Sequence, residues 1–218
     1  MSKEVVKSAD VTIEFDGTRC IHSRNCVLNR PDVFVPNVVG EWIHPENASA
    51  AEVLEIAHNC PSGAIQCKAP NGDALEKAPV VNLVHVRENG PLAFHAPLDI
   101  KGTDEGFRAT LCRCGASKNK PFCDHTHVEI GFHATGEPAA KKFEALDKRN
   151  GTLDKRNGTL TIDPTPNGPL HVTGALEMVS GTGTTINKVT DVWLCRCGHS
   201  QNKPYCDGSH VKAGFKAD

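Results

Sequence analysis

Aromatic residues and long apolar runs are scarce in this chain of 218 residues. Phe, Trp and Tyr make up 5% of it, with a single Tyr and two Trp. No apolar run approaches the roughly 20 residues of a transmembrane helix, so we expect no membrane association. The first ten residues contain no apolar stretch either. We therefore expect no secretory signal and, by default, a cytoplasmic protein.

An excess of charge of one sign is also lacking. The chain has 24 Lys and Arg against 26 Asp and Glu, with both signs mixed, and a formal net charge of −2. Nucleic-acid-binding domains usually carry a basic face, so we expect no nucleic-acid partner. The chain also has no Gly-x-Ser-x-Gly nucleophile elbow and no phosphate-binding loop, and we expect no enzymatic activity.

Cysteine, glycine and proline are abundant instead. There are ten Cys, 19 Gly and 14 Pro, a composition that favours short strands and many turns over long helices. Six of the cysteines lie in two copies of one pattern of three Cys and a terminal His. Without a secretory signal, such spacing favours metal ligands over disulfide bonds.

The two copies have the same spacing over sixteen residues, and we call them the first and the second motif. The first motif reads Cys112-Arg-Cys114-Gly-Ala-Ser-Lys-Asn-Lys-Pro-Phe-Cys123-Asp-His-Thr-His127. The second reads Cys195-Arg-Cys197-Gly-His-Ser-Gln-Asn-Lys-Pro-Tyr-Cys206-Asp-Gly-Ser-His210. Thiolates and imidazoles are soft and borderline metal ligands, so each motif is a candidate metal site.

A two-iron cluster needs two ligands on each iron, and the spacing suits that need. The Cys-x-Cys pair would serve one iron. Cys206 and His210 are four residues apart, so a helical turn between them would place both on one face. Asp207 would cap that turn. An imidazole in place of one thiolate makes the site less negative, should raise its reduction potential and adds a ligand that acid can protonate.

The motifs resemble the CDGSH iron–sulfur family, the mitoNEET-type proteins. The second motif matches every position of the family pattern, and the first differs only at His125, where the family has Gly. The resemblance implies one [2Fe–2S] cluster in each motif, held by three Cys and one His. The implied ligands are Cys112, Cys114, Cys123 and His127 in the first motif, and Cys195, Cys197, Cys206 and His210 in the second.

His125 competes with His127 for the role of ligand, and the register decides between them. His127-Val-Glu-Ile-Gly131-Phe132 aligns with His210-Val-Lys-Ala-Gly214-Phe215, which favours His127. If Gly208 has a positive φ, His125 must adopt the same backbone conformation.

The N-terminal region resembles single-cluster bacterial-type ferredoxins, which have Cys-x2-Cys-x2-Cys and a distant Cys-Pro. Cys20, Cys26 and Cys60-Pro61 fit that pattern, but Ser23 stands at the middle cysteine position. The resemblance implies a [3Fe–4S] cluster, or a [4Fe–4S] cluster with Ser23, His22, water or a substrate on its fourth iron. In the alternative interpretation the fold is kept without a cluster and the cysteines are small core residues, as we expect for Cys67.

These patterns predict an α+β fold in three parts: a small ferredoxin-like domain over residues 1–78 and CDGSH units over 79–145 and 146–218. We predict strands at residues 11–15, 64–67, 80–86, 92–100, 107–111, 170–179 and 191–194, and a helix at 48–58 capped by Asn47 or Ser49. Single-motif family members are homodimers with a shared β-cap. The tandem chain therefore resembles a fused dimer, a monomer with a pseudo-two-fold axis. The tandem heptamers Leu146–Thr152 and Leu153–Thr159 are expected to form a linker.

Three functions remain open at this stage. The first is one-electron transfer between redox partner proteins, in which Arg113, Arg196, Lys120 and Lys203 either offset the cluster charge or merely solvate the loops. The second is a cluster donor to apo-acceptor proteins, or a redox or pH sensor. The third is structural zinc, which three Cys and one His can bind, although zinc modules usually place two to four residues between paired cysteines.

Overall fold

The computed structural model describes residues 3–137 and 155–217. The chain divides into two compact units, Met1–Lys77 and Ala78–Asp218. Mixed sheets and a few short helices confirm the α+β class. The boundary predicted between residues 145 and 146, and most of the tandem heptamers, lie outside the described residues.

The N-terminal unit is a three-stranded antiparallel sheet with helices. The sheet has the order β1-β2-β3, formed by Lys3–Lys7, Thr12–Asp16 and Ile65–Lys68. The helices are α1 (Asn25–Asn29), a 3-10 turn at Pro45–Asn47 and α2 (Ala50–His58). The strands predicted at residues 11–15 and 64–67 are confirmed to within one residue at each end. Strand β1 was missed because it is a mostly exposed edge strand without an apolar face.

Helix α2 begins where the sequence predicts a cap. The Ser49 side chain accepts a hydrogen bond from the Glu52 amide, and the Glu52 carboxylate accepts one from the Ser49 amide. This capping box satisfies two amides that a helix start leaves without intrahelical partners. The helix ends at His58, so it places Cys60 just beyond its C-terminus, while Val53, Ile56 and Ala57 pack into the core.

The C-terminal unit is built on one mixed sheet of eight strands. Its strands are β4 (Leu83–Val86), β5 (Leu92–His95), β6 (Leu98–Ile100), β7 (Thr103–Asp104), β8 (Arg108–Leu111), β9 (Leu160–Pro164), β10 (Leu170–Val179) and β11 (Thr185–Leu194). Two one-turn helices, α3 (Thr126–Glu129) and α4 (Ser209–Lys212), follow the third cysteine of each motif.

Two strands of the second half, β9 and β10, lie between strands of the first half in this sheet. Its order is β7-β6-β9-β10-β4-β5-β8, with β11 paired to β10. Strand β6 pairs in parallel with β9, and β4 pairs in parallel with β10. The neighbouring strands β5 and β6 are therefore separated in the sheet by three strands, two of which come from the second half. Each half thus completes its sheet only with the other.

Two strand predictions for this unit need correction, and one strand was missed. The strand predicted at residues 92–100 is two strands that join different neighbours, and the break falls at Ala96-Pro97, where proline lacks an amide donor. Strand β11 begins at Thr185 rather than at residue 191. Strand β9 was not predicted, although Leu160 and Ile162 alternate with exposed residues and are fully buried.

The core of this unit lies between the strands of both halves. Val84, Leu92 and Phe94 from the first half pack in one cluster with Leu170 and Leu176 from the second. All five side chains are at most 1% exposed. Among the residues that the structure describes, no helix is long and apolar enough to cross a membrane.

Candidate metal centres

Each motif continues from a strand and returns to it. Strand β8 leads into Cys112, whose amide donates to the Pro121 carbonyl at 2.8 Å. The Cys123 amide donates to the Thr110 carbonyl at 2.9 Å, which closes an antiparallel bridge. The first and third cysteines of the motif therefore lie on two paired segments, the end of β8 and the segment around Phe122.

The second motif repeats this geometry from strand β11. The Cys195 amide donates to the Pro204 carbonyl at 2.8 Å, and the Cys206 amide donates to the Trp193 carbonyl at 2.9 Å. The equivalent bridge joins Leu194 and Tyr205.

The eight predicted ligands meet in four pairs. The Sγ atoms of Cys112 and Cys114 are 3.7 Å apart, and Cys123 Sγ is 3.3 Å from His127 Nδ1. In the second motif, the Sγ atoms of Cys195 and Cys197 are 3.8 Å apart, and Cys206 Sγ is 3.5 Å from His210 Nδ1. Within residues 3–137 and 155–217, no three Cys, His, Asp or Glu side chains converge on one point that could hold a single metal ion.

These distances fit two ligands on one tetrahedral iron. Metal–sulfur bonds of about 2.3 Å at a tetrahedral angle put two thiolates on one metal about 3.8 Å apart. With a metal–nitrogen bond of about 2.0 Å, the sulfur-to-nitrogen separation becomes about 3.5 Å. The observed pairs lie within a few tenths of an ångström of these values. Each motif therefore offers two adjacent two-ligand positions, which is what a two-iron cluster requires.

The repeated polar residues of the motifs hold the loop that carries the cysteines. Ser117 Oγ donates to the Phe122 carbonyl at 2.7 Å and accepts from the Asn119 amide at 3.0 Å. Ser200 makes the same two bonds, at the same distances, to Tyr205 and Asn202. The recurrence of Ser and Asn in the sequence thus reflects loop construction rather than metal binding.

The aspartate after the third cysteine ties the loop to the following helix. Asp207 accepts from the Gln201 amide at 2.8 Å and from the Ser209 amide at 3.0 Å. The hydrogen bond from the Ser209 side chain, above all, lowers the pKa of Asp207. The predicted helical turn starts later than expected, at Ser209, after Gly208 with a φ of 84°. Asp207 thus binds the first amide of α4 without occupying the cap position itself.

His125 adopts the left-handed conformation predicted for it, with a φ of 72°. Its ring lies edge-on to that of His127, with the ring centroids 5.1 Å apart. Of the two histidines, the ring nitrogen found beside the Cys123 sulfur belongs to His127.

The paired cysteines have strongly divided pKa values. The hydrogen bond from Cys112 lowers the pKa of Cys114 to about 7, while the same bond raises that of Cys112. In the second motif, the bond from Cys197 lowers the pKa of Cys195 to about 6. Burial raises the pKa of Cys123 to about 12. One thiolate of each Cys-x-Cys pair therefore forms readily near neutral pH, and the other thiol of the pair needs a metal to displace its proton.

The arginine within each Cys-x-Cys is buried, so the interpretation of these two arginines as loop solvation is wrong. Arg113 is 1% exposed and Arg196 is 0% exposed. The rings of Phe132 and Phe215 lie against them, at 5.6 and 5.4 Å from the guanidinium carbons. The repeated Gly-Phe after each ligand histidine could have predicted this packing.

The two lysines of the Asn-Lys-Pro triplets serve the loops instead. Lys120 Nζ donates to the Ser117 carbonyl, and Lys203 Nζ donates to the Ser200 carbonyl at 2.6 Å.

The N-terminal unit brings its three predicted ligands to one pocket of about 360 Å³. Cys20, Cys26 and Cys60 line it together with Ser23 and His22. Burial raises the pKa values of Cys20 and Cys26, and the neighbouring thiolates raise them further. Three cysteines around one cavity suit a group that carries positive charge, such as the irons of a cluster, because such a group favours the thiolate form of its ligands.

Aromatic and hydrogen-bonding contacts hold the walls of the pocket. Phe15 and Trp42 line it and pack edge to face, with centroids 4.9 Å apart. The Asn25 side chain donates to the Asn59 carbonyl at 2.8 Å, which joins the loop of Cys26 to that of Cys60.

Cys67 lies outside this pocket, as the sequence pattern predicts. It is 2% exposed in the N-terminal core, and its thiol donates to the Val53 carbonyl at 3.6 Å. All ten cysteines are free of disulfide bonds.

Family models match most of the regions described above. Residues 84–128 and 167–211 each match the family described as iron-binding zinc finger, CDGSH type. Residues 6–69 match the family described as divergent 4Fe-4S mono-cluster. No curated protein sequence matches the chain significantly. Both resemblances inferred from the sequence are thereby confirmed, and the matched segments contain every candidate ligand.

Proposed function

We propose that this chain, which carries two CDGSH-type iron-binding units and a divergent 4Fe-4S mono-cluster domain, is an electron carrier and not an enzyme. The observation that carries the proposal is the pairing of ligands in each motif. Two sulfurs lie 3.7 or 3.8 Å apart beside a sulfur–nitrogen pair at 3.3 or 3.5 Å. A bound [2Fe–2S] cluster supplies one-electron chemistry at a potential set by its ligands and their hydrogen bonds.

The four ligands of each motif would bind such a cluster in two pairs, one pair on each iron. The Cys-x-Cys pair takes one iron, and the third cysteine with the histidine takes the other. Main-chain amides reach the sulfurs: the His199 amide donates to Cys197 Sγ and the Gly208 amide to Cys206 Sγ, both at 3.4 Å. Such bonds stabilise charge on sulfur and therefore favour the reduced state.

The tandem units function, in this proposal, as a dimer fused into one chain. The sheet shared by the two halves supports this, because β4 and β6 each pair in parallel with a strand of the second half. The expected product is a monomer with pseudo-two-fold symmetry and a shared β-cap. Its partners are redox proteins of the cytoplasm.

A third cluster is proposed for the N-terminal unit, in a ferredoxin-like setting. Cys20, Cys26 and Cys60 around one pocket support it, as does the mono-cluster family match. Ser23 lines the same pocket and stands at the position of the middle cysteine in the ferredoxin pattern. The site is therefore suited to a [3Fe–4S] cluster or to a [4Fe–4S] cluster with one ligand other than cysteine.

The deciding experiment is anaerobic purification followed by iron, sulfide and zinc analysis and EPR before and after reduction. About four irons per chain with only [2Fe–2S] signals would support the two motifs and leave the N-terminal unit empty. About seven or eight irons with an added three- or four-iron signal would support all three sites. Zinc in place of iron would contradict the proposal.

A second candidate function is cluster donation or sensing. The observation in its favour is the uneven exposure of the ligands. Cys112 and Cys195 are 1% exposed, whereas His127 and His210 are partly exposed. The histidine end of each site is therefore the end at which an acceptor protein could take over the irons. Transfer to an apo-ferredoxin that is faster from the wild type than from His210→Cys would favour this function over electron transfer.

A further inference from the structure

The buried arginines at the centre of each Cys-x-Cys carry a charge that the loop alone does not explain. Arg113 donates to four main-chain carbonyls, those of Arg87, Gly90, Ala134 and Thr135, at 2.6 to 3.0 Å. Arg196 donates to the carbonyls of Thr165 and Gly168 at 2.7 and 3.0 Å. Carbonyl dipoles satisfy these donors but carry no net charge. Burying a cation is costly, and a nearby anion offsets that cost.

The side chain of Arg113 leaves its own Cys-x-Cys segment and packs against the ring of Phe132, whose centroid lies 5.6 Å from the guanidinium carbon. Its guanidinium lies among the carbonyls of residues 87–90 and 134–135.

The loop of the opposite motif lies close by. A Cβ placed on Gly115 would collide with the main chain of Cys197, and a Cβ on Gly198 would collide with the main chain of Cys114. Both glycines have positive φ values, of 83° and 84°. The two cluster loops therefore touch backbone to backbone, and the contact is reciprocal.

The electrostatics are also reciprocal. Burial lowers the pKa of Arg113 to about 10, and the thiolate of Cys195, in the other motif, is the largest charge that opposes this shift. The Glu88 carboxylate has the next largest effect, and the thiolate of Cys114, in the arginine's own motif, has a smaller one. Arg113 also helps to lower the pKa of His127 in its own motif. Burial likewise lowers the pKa of Arg196, and the thiolate of Cys112 opposes it.

We propose that each buried arginine is the positioning counter-charge of the opposite cluster: Arg113 tunes the second site and Arg196 tunes the first. The inference rests on the proposed function, because it requires a [2Fe–2S] cluster in each motif. With three thiolates and a neutral imidazole, such a site is formally more negative after reduction than before. A nearby cation therefore stabilises the reduced state more than the oxidised state and raises the potential of the site.

The test measures the potential of each cluster separately in the full-length holoprotein. His127→Cys gives the first cluster four thiolates, so that its EPR and absorption spectra differ from those of the unchanged second cluster. Arg113→Gln is added in this background, and both midpoint potentials are read by spectroelectrochemical titration. We expect the potential of the second cluster to fall by more than that of the first.

Two further variants serve as controls, and the mirror pair is a second test. Arg113→Lys keeps the charge and is expected to restore most of the lost potential. Arg108→Gln removes another buried arginine, on strand β8, and is expected to change the second cluster less. In a His210→Cys background, Arg196→Gln should lower the potential of the first cluster more than that of the second. This mirror variant decides the matter if Arg113→Gln does not fold.

The outcomes separate the two proposals. Potential shifts confined to the arginine's own motif, with both [2Fe–2S] signals present, would overturn the inference and leave the proposed function intact. Equal shifts from Arg108→Gln would also overturn it, since the effect would then be general. A holoprotein without any [2Fe–2S] signal would overturn both.

Discussion

At the scale of single residues, two glycines permit the contact between the cluster loops. Gly115 and Gly198 combine a left-handed backbone with the direct approach of the opposite loop. Gly102 has a similar φ of 76°, but no atom lies within 4 Å of the position that a Cβ would take there. Gly102 is therefore a matched reference for the other two.

Gly115→Ala should destabilise the protein more than Gly102→Ala does. Both substitutions incur about 1–2 kcal/mol for the left-handed conformation. Only the first also forces apart the backbones at Cys197. Thermal unfolding of the two variants measures the difference, and the iron content of Gly115→Ala should fall as well. An equal loss of Tm in both would contradict the contact.

Cysteine substitutions in the N-terminal unit separate ligands from core residues. Cys60→Ala should remove about three to four irons per chain, because it removes one of the three thiolates of the pocket. Cys67→Ala should leave the iron content unchanged and cost about 1–2 kcal/mol of stability, since Cys67 is a buried core residue outside the pocket. Iron analysis and urea unfolding check both, and an equal iron loss from Cys67→Ala would refute the assignment.

Sequence alone indicated which cysteine and histidine side chains lie in pairs, but it left open whether the arginine between two cysteines is buried or only solvates the loop. The spacing of Cys112, Cys114, Cys123 and His127 is local, so a short loop fixes which atoms meet. The burial of Arg113 depends on carbonyls of residues 87–90, far back in the chain. Local spacing carries no information on such a contact, and a charged residue in a loop is usually exposed.

At the scale of elements, helix α2 was predicted because its cap and its apolar face are both determined by residues within or next to the helix. Strand β6 was not predicted as a separate strand, because its partner β9 follows more than fifty residues later in the sequence. Residues 92–100 were predicted as one strand although Pro97 lies within them, and only the tertiary structure shows that the two parts pair with different neighbours.

Ser49→Ala should weaken the N-terminal unit by about 1 kcal/mol, because it removes the hydrogen bond to the Glu52 amide. The chain has two tryptophans, so Trp42 fluorescence in a Trp193→Phe background follows this unit during urea unfolding. Glu52→Gln keeps an acceptor for the Ser49 amide and should have a smaller effect. An unchanged unfolding midpoint for Ser49→Ala would show that the cap does not limit stability.

At the scale of the whole C-terminal unit, buried hydrogen bonds connect its first half to its second half. Asn82 is fully buried, and its amide and side chain donate to the carbonyls of Arg156, Gly158 and Ala175. The Arg156 side chain donates to the Glu177 carboxylate, which is 4% exposed.

Glu177 should make the stability of this unit depend on pH. The hydrogen bond from Arg156, above all, lowers its pKa below the ordinary 4.5. The carboxylate therefore contributes its full stability above about pH 4.5 and loses it as the pH falls through the lowered value. Glu177→Gln should cost about 1.5–3 kcal/mol at neutral pH.

The difference between wild type and Glu177→Gln should shrink as the pH falls below 4.5. Circular dichroism of thermal unfolding between neutral and acid pH measures it. Asp163→Asn, at an exposed carboxylate on strand β9, is the matched control. A difference that stays constant with pH would mean that Glu177 contributes through packing rather than charge.

The shared sheet also has a consequence for folding during translation, because strands that pair with each other are made at different times. Leu83 of β4 pairs with Glu177 of β10. At ordinary elongation rates, Glu177 is translated about 5 to 20 seconds after Leu83. In the later part of that interval the cysteines of the first motif have been made, while strand β10, which pairs with β4, has not. If the first motif binds iron as proposed, we therefore expect its stable loading to follow translation of the second half, which supplies the strand beside β4.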